Sequence, residues 1–152
     1  MSRGSAPVVG VVLVTFLAVV LAVAVGAVVT TTTSETPPAA KLALTADASE
    51  QEILLAHEGG ESLTVSELTV RIEVDGTDLA QQPTVPFFAS EGFRGGPEGP
   101  FNDASDDEWQ AGETATLRLA STNAPAIEPA STVTVVVATD GAVIFEESVS
   151  AG

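Results

Sequence analysis

The chain has 152 residues, of which 21 are Asp or Glu and 5 are Lys or Arg, and its net charge at pH 7 is -16. A surface this acidic repels phosphate backbones, which argues against nucleic acid as a partner, and it is typical of a halophilic protein because salt screens the self-repulsion. The sequence contains no Cys, which excludes a disulfide scaffold, thiolate metal sites and thiol catalysis.

The first predicted element is an uncharged apolar segment that begins at Val8 and ends at Val29. As a helix it would measure about 33 Å, which matches the hydrocarbon core of a bilayer. A segment in lipid must satisfy its backbone groups internally, so residues 5–29 are predicted to form a transmembrane α-helix. Arg3 precedes this helix and an acidic region follows it. The positive-inside rule therefore predicts a single-pass protein of the cell membrane with an extracellular head.

Three interpretations of the apolar segment stay open on its composition. A removable secretory signal usually has a shorter apolar region of about 7 to 15 residues, although Ala22, Ala24 and Ala27 offer small residues for cleavage. An uncleaved membrane anchor is the second interpretation. The third depends on the start, MSRGSAPVVG, in which Arg3 and Gly4 stand directly before a small residue, a proline and the apolar segment.

This start resembles the class III signal of archaeal, haloarchaeal-type type IV pilins. In that family a prepilin peptidase cuts after the glycine on the cytoplasmic side and leaves the apolar helix on the mature chain. The resemblance implies processing at Arg3, Gly4 and Ser5, with the cut between Gly4 and Ser5, and it implies prepilin peptidase and the pilus assembly machinery as partners. Residues 51–76, in which a predicted strand ends in His-x-Gly-Gly, resemble the head of the same family.

The predicted helix also has a candidate packing face. Ala18, Ala22 and Gly26 recur every four residues, so they lie on one side of a helix, where small residues let a neighbouring helix approach closely. This spacing permits helix bundling. Self-association through the N-terminal helix is also what the family resemblance implies.

The predicted chain has four segments. Residues 1–4 are the signal and residues 5–29 the helix. Residues 30–40 are rich in Thr and Pro and predict an extended linker, whose hydroxyls leave O-glycosylation open. Residues 41–152 are the acidic head.

Apolar residues recur with a period of two in the head, which predicts β-strands. Leu68, Val70, Ile72 and Val74 alternate with polar residues, as expected for a strand with one buried face. The pattern predicts seven strands, at residues 42–45, 53–57, 67–74, 77–81, 113–119, 132–139 and 142–149. The number and spacing of these strands are typical of an immunoglobulin-like sandwich. The predicted fold class is a single long N-terminal α-helix plus an all-β immunoglobulin-like head.

Two dipeptides predict hairpins within this head. Asp140-Gly141 lies between the last two predicted strands, and Asp75-Gly76 follows the strand that ends at Val74. Both match the type I′ turn, whose two central residues need positive φ. The strand at residues 132–139 is expected to be central, because Val136 adds an apolar residue to its second face.

A long Pro- and Gly-rich loop separates the early strands from the later ones, at residues 83–112. It contains Phe87, Phe88, Phe93 and Phe101, a content of aromatic residues that argues against simple disorder. The aromatic residues either cap the sandwich core or form a contact surface for a neighbouring subunit or a ligand. Trp109, just before a predicted strand, is expected in the core.

Candidate chemical groups are few. His57 is the only His, and its expected role is structural, at the end of a strand. Asp103, Asp106, Asp107 and Glu108 form an acidic cluster, but their spacing does not match an EF-hand loop, so a solvated loop is expected. The sequence predicts no cofactor, no metal site and no enzymatic activity.

The resemblance implies a structural subunit of a type IV pilus, or a pilin-like surface protein, that serves adhesion to surfaces. Its expected locations are the cell membrane and, when assembled, the cell-surface pilus. Two alternatives stay open. One is a membrane-anchored extracellular binding module that does not polymerise, and the other is an extracytoplasmic hydrolase.

Overall fold

Nine β-strands and two short 3₁₀ turns make up the regular structure of residues 36–152, the part of the chain that the computed structural model describes. The strands are β1 (Ala40–Asp47), β2 (Glu52–Gly60), β3 (Leu63–Thr64), β4 (Leu68–Val74), β5 (Thr77–Asp78), β6 (Glu108–Trp109), β7 (Thr114–Arg118), β8 (Thr132–Thr139) and β9 (Ala142–Ser150). The 3₁₀ turns are Val65–Glu67 and Gly99–Phe101.

The strands form two main antiparallel sheets and one small one. The first main sheet has the order β1–β2–β7, and the second has the order β5–β4–β8–β9. The short strands β3 and β6 pair with each other. Buried apolar side chains of both main sheets belong to a single cluster, so the two sheets pack face to face around one core. The architecture is an all-β sandwich.

The core follows from the alternation in the sequence. In β4, Ile72 is paired with Val135 of β8, and Val70 is paired with Val137. All four side chains are buried, while the residues between them on each strand point to the other face. A fully buried Val or Ile side chain is favoured over an exposed one by about 1.5–3 kcal/mol, so a one-residue slip of register would lose that energy at every pair.

The predicted fold class, which joined one long α-helix to a β head, is wrong. The structure is all-β, and none of the elements in residues 36–152 is an α-helix. Within the same residues no helix has the length and apolarity to cross a bilayer. Residues 5–29, to which the helix was assigned, lie outside the described residues. That prediction was based on the length and hydropathy of a Val-rich segment. β-Branched residues such as Val have a low intrinsic helix propensity, so this segment is specified as a helix only where lipid forces its backbone groups to hydrogen-bond internally.

The predicted strands of the head are confirmed. Each of the seven corresponds to an observed strand, namely β1, β2, β4, β5, β7, β8 and β9. The strand at Thr132–Thr139 is central as predicted, because β8 lies between β4 and β9. The two-residue strands β3 and β6 were not predicted, and β5 is shorter than the predicted strand at residues 77–81.

Both predicted hairpin turns are confirmed. Asp140 and Gly141 have φ values of 48° and 78°, and Asp75 and Gly76 have φ values of 51° and 80°. Positive φ at both central residues is the signature of a type I′ turn, whose twist suits the strands on either side. These turns set the register of β8 with β9 and of β4 with β5.

The first main sheet defines two ends of the sandwich. At the linker end, where the chain joins β1, Ala40 is paired with Gly60. At the far end, Asp47 is paired with Glu52, which in turn is paired with Arg118 at the end of β7. Because β7 runs antiparallel to β2, it begins near the linker end and ends at the far end.

Candidate functional site

The residues predicted for signal processing and for helix packing lie outside the described residues. They are Arg3, Gly4, Ser5, Ala18, Ala22 and Gly26. Their roles stay predictions from the sequence.

The aromatic residues of the long loop divide into buried and exposed ones. Phe87, Phe93 and Phe101 are buried, and the rings of Phe87 and Phe93 lie 5.6 Å apart between centroids. Phe101 is fully buried and packs edge to face on Trp109, which is also fully buried, at 5.1 Å. Phe88, in contrast, is 67% exposed. Of the candidate contact residues, three close the core and Phe88 alone presents its ring to solvent.

The same loop pairs with the outer edge of β7. The backbone N–H of Glu98 donates to the Thr116 carbonyl at 3.1 Å, and the Thr116 N–H donates back to the Glu98 carbonyl at 3.0 Å. Further along, the Arg94 N–H donates to the Arg118 carbonyl at 2.8 Å. An unpaired strand edge is a template for pairing with other chains, so the loop protects this edge of the first sheet.

His57 lies in the core rather than at an exposed strand end. The residue is 1% exposed, and its Nε2 lies 2.8 Å from the carbonyl oxygen of Glu61. Its backbone N–H donates to the Glu113 carbonyl at 2.9 Å, and its carbonyl accepts from the Gly112 N–H at 2.7 Å. Within residues 36–152, Nδ1 has no hydrogen-bond partner. These contacts tie the end of β2 to the turn before β7, which supports the structural role expected of His57.

The acidic cluster lies at the linker end. Asp107 has a structural role, because its side chain accepts hydrogen bonds from the backbone N–H and the hydroxyl of Ser66. Asp106 and Glu108 are exposed and line a cleft of about 490 Å³ together with Glu113. We call this the acidic cleft; its lining residues are Ala104, Ser105, Asp106, Glu108, Gln110 and Glu113. Residues 36–152 contain no group of three or more His, Cys, Asp or Glu side chains arranged to hold a metal ion.

Most cations of the described chain are paired with carboxylates. Arg71 donates to both carboxylate oxygens of Asp78, and this hydrogen bonding raises the pKa of the Arg71 guanidinium above its ordinary value. Arg118 bridges Glu98 at 3.1 Å and Glu52 at 2.9 Å, and its hydrogen bond to Glu98 is the main cause of its raised pKa. The remaining Lys–Glu pair is weaker, because Lys41 is highly exposed.

Arg94 differs from the other cations. It is exposed at the far end, and its Nη2 donates to the backbone carbonyl of Glu50 at 2.6 Å. Among residues 36–152, no carboxylate lies within ion-pair distance of its guanidinium, unlike those of Arg71 and Arg118. It borders a cleft of about 520 Å³, which we call the Arg94 cleft; its lining residues are Ser49, Gln51, Arg94, Leu119, Ala120, Ser121 and Ala126.

Two side-chain amides, one buried and one half-buried, hold the segments around the Arg94 cleft. Asn123 is buried, and its Nδ2 donates to the carbonyls of Gln81 and Gly92 at 3.0 and 3.1 Å. Gln51 donates to the Ile127 carbonyl at 2.6 Å and accepts from the Ile127 N–H at 2.9 Å. The segments that border the cleft are therefore held together by hydrogen bonds that are buried or partly buried.

The Arg94 cleft was not predicted from the sequence. One signal was present, since only four residues after residue 35 are Lys or Arg and one of them stands in the loop sequence PheArgGlyGly. Nothing in the sequence near Arg94 shows which distant segments surround it. Its neighbours come from the β1–β2 turn and from the segment after β7.

The described structure belongs to the class of all-β sandwich proteins. No protein-family model matches the chain, and no curated protein matches it.

Proposed function

We propose that the chain is a non-enzymatic subunit of a type IV pilus, or a pilin-like surface protein, that serves attachment to surfaces. Prepilin peptidase removes residues 1–4, and the apolar segment 8–29 stays on the mature chain and holds it in the membrane before assembly. The heads are displayed outside the cell. The observation that carries the proposal is the start MSRGSAPVVG, joined directly to an uncharged segment of bilayer length.

The head supports this proposal because it is a self-contained module. Pro37–Gly152 form one compact unit, and both of its main sheets contribute to a shared apolar core. A subunit displayed on the cell surface needs a head with its own hydrophobic core and a solvent-exposed polar surface. The net charge of -16 suits a surface that works in high salt.

We further propose that the head is immunoglobulin-like. The orders β1–β2–β7 and β5–β4–β8–β9 correspond to strands A–B–E and C′–C–F–G of that class. The central pairing of β4 with β8 then corresponds to the pairing of strands C and F. Many cell-surface domains use this sandwich, which is consistent with an extracellular head.

The mature N-terminus tests the processing step. We expect mass spectrometry of the protein from its native host to find a chain that begins at Ser5. A Gly4→Val variant should accumulate unprocessed, because the peptidase reads the glycine before the cut. Gly10→Val is a matched control, since it makes the same substitution beyond the cut and should be processed normally. A mature chain that begins at Met1 would identify a simple anchor, and one that begins within residues 27–31 would identify a secreted domain.

Imaging tests the assembly step. Electron microscopy with an antibody against the head should label filaments on cells that express the normal chain or the Gly10→Val variant. Cells that express Gly4→Val should carry membrane-bound protein without labelled filaments. Processing at Ser5 without filaments under any growth condition would contradict a role as a polymerising subunit.

A second candidate function is a membrane-anchored binding module that does not polymerise. The observation that favours it is the exposure of Phe88, 67%, on the loop that also covers β7. A single exposed aromatic residue is common on protein surfaces, so this observation is the weaker of the two. If cells that express Gly4→Val still attach to a surface, and a further Phe88→Ser change abolishes attachment, the binding module is the better assignment.

A further inference from the structure

The Arg94 cleft has the chemistry of a carboxylate site. A guanidinium offers five N–H donors in a planar fork that matches a carboxylate, and in Arg94 one of its nitrogens is oriented by the Glu50 carbonyl. Arg94 lines a cleft of about 520 Å³ whose lining also includes Ser49 and Ser121. An incoming carboxylate would therefore meet a held cation beside polar groups.

The acidic groups near Arg94 do not satisfy it within the described residues. Asp47 accepts from the Ser49 hydroxyl at 2.6 Å and from the Ser49 and Glu50 N–H groups at 2.8 and 3.2 Å, so its carboxylate oxygen is already engaged within the β1–β2 turn. Glu91 lies at hydrogen-bond distance from Gln81. Among residues 36–152, Arg94 is therefore a cation at the far end with no carboxylate within ion-pair distance.

The matching negative surface lies at the other end of the same head. Asp106 and Glu108 are exposed in the acidic cleft, and within residues 36–152 neither carboxylate pairs with a Lys or Arg. The acidic cleft reaches Glu113, directly before β7, whereas the Arg94 backbone is bonded to Arg118, the last residue of β7. The two clefts therefore lie at opposite ends of one strand, and a contact between them joins two copies.

We infer that the Arg94 cleft of one head receives the Asp106 and Glu108 carboxylates from the acidic cleft of a second copy. This inference rests on the proposed function in that copies must meet at the cell surface. The contact is heterologous, because it joins two different patches, and it leaves each copy with one free cleft. Where the rotation between successive copies does not close a ring, contacts of this kind repeat into an open helical array, which is the geometry that a filament needs.

Cysteine cross-linking in cells tests this contact. Because the chain has no native Cys, only the introduced residues of this chain can be cross-linked. The full chain would carry Arg94→Cys, Asp106→Cys or both, and whole cells would be treated with a short bismaleimide linker. We expect the double variant to give a ladder of covalent multimers, and a mixture of the two single variants to give dimers. Each single variant expressed alone should stay monomeric. Lys41→Cys with Asp106→Cys is the matched control, since it also removes one exposed cation and should give no ladder.

Charge exchange tests the same contact without a linker. Arg94→Glu or Asp106→Arg alone should lower the yield of labelled filaments at least several-fold, and the two changes together should restore it. A melting temperature near that of the normal chain, measured for each variant, confirms that the head folds.

The outcomes separate this inference from the proposed function. Filaments that form normally, that tolerate Arg94→Glu and that give no ladder in the double cysteine variant would overturn the inference and leave the pilus proposal standing. Covalent dimers from Arg94→Cys alone would show a symmetric contact and would also overturn it. A ladder in cells without filaments would support the contact and contradict the pilus.

Discussion

The ring of His57 packs edge to face on the indole of Trp109, with 5.8 Å between the ring centroids and 76° between the ring planes. Each ring also forms a hydrogen bond with a backbone carbonyl. His57 Nε2 lies 2.8 Å from Glu61 O, and Trp109 Nε1 donates to Glu113 O at 3.0 Å. The pair thus joins the end of β2 to the turn that precedes β7. This turn also carries Glu113 of the acidic cleft.

We expect His57→Ala to lower the free energy of unfolding by about 2–4 kcal/mol, because it opens a cavity beside Trp109 and leaves the Glu61 carbonyl without its partner. Guanidinium unfolding of the purified chain, followed by the fluorescence of Trp109, the only tryptophan, measures the loss. Glu58→Ala, on an exposed neighbour, is the control and should change the stability by less than about 0.5 kcal/mol. Equal effects of the two substitutions would contradict a structural role for the His57 ring.

Asn123 holds the loop at Gly92 against the segment after β7. We expect Asn123→Ala to destabilise the chain by about 2–3 kcal/mol, because it leaves the half-buried Gln81 N–H and the Gly92 carbonyl without the Asn123 side chain. Thermal unfolding measures the effect. Hydrogen exchange should also become faster at the amide of Ala120, which donates to Gly92, since the loop is released.

Asn123→Asp separates the two hydrogen-bonding roles of this side chain. It keeps the acceptor for the N–H groups of Gln81 and Ala124 but loses the donor to Gln81 O and Gly92 O, and it places a carboxylate in a buried position. We expect it to be at least as destabilising as Asn123→Ala at pH 7. A stability equal to that of the normal chain would show that the donor contributes nothing.

Local pattern was enough to predict the strands and their hairpins. The alternation in β4 and the Asp140-Gly141 turn depend on the order of a few adjacent residues, so the local sequence alone predicts them. The surroundings of Arg94, in contrast, depend on residues that are distant in the sequence. Gln51 and Ile127, which fix one wall of its cleft, are 76 residues apart in the sequence, and nothing in either residue's neighbourhood indicates the other. The burial of Phe87 but not of Phe88 likewise depends on the path of the loop across β7.

Asp47 makes the β1–β2 turn sensitive to pH. Its pKa is lowered, first by the hydrogen bond from the Ser49 hydroxyl and then by those from the Glu50 and Ser49 N–H groups. A carboxyl whose pKa is lower in the folded state contributes stability above its unfolded pKa of about 3.9, and that contribution is lost as the pH falls through the folded pKa. We therefore expect Asp47→Ala to be less stable than the normal chain at pH 7 and to lose that difference in strong acid.

Urea unfolding at a series of pH values between neutral and strongly acidic measures this difference. Asp103→Ala is the control, because it removes an exposed carboxylate that accepts no hydrogen bond within residues 36–152, and its effect on stability should not vary in the same way. A stability difference for Asp47→Ala that grows as the pH falls would have the wrong sign and would contradict the argument.

The adjacent residues Gly59 and Gly60 give a matched pair of substitutions in β2. Gly60 has a φ of +92°, and a Cβ on it would lie 2.4 Å from the backbone oxygen of Ala39, whereas a Cβ on Gly59 would meet no atom within 4 Å. We expect Gly60→Ala to destabilise the chain by about 1–3 kcal/mol, because alanine is strained at this positive φ and β1 must move to make room for its Cβ. Gly59→Ala should be close to neutral. Guanidinium unfolding of both variants tests this. If the two variants had the same stability, the close approach of Ala39 to Gly60 would not be a feature of the folded chain.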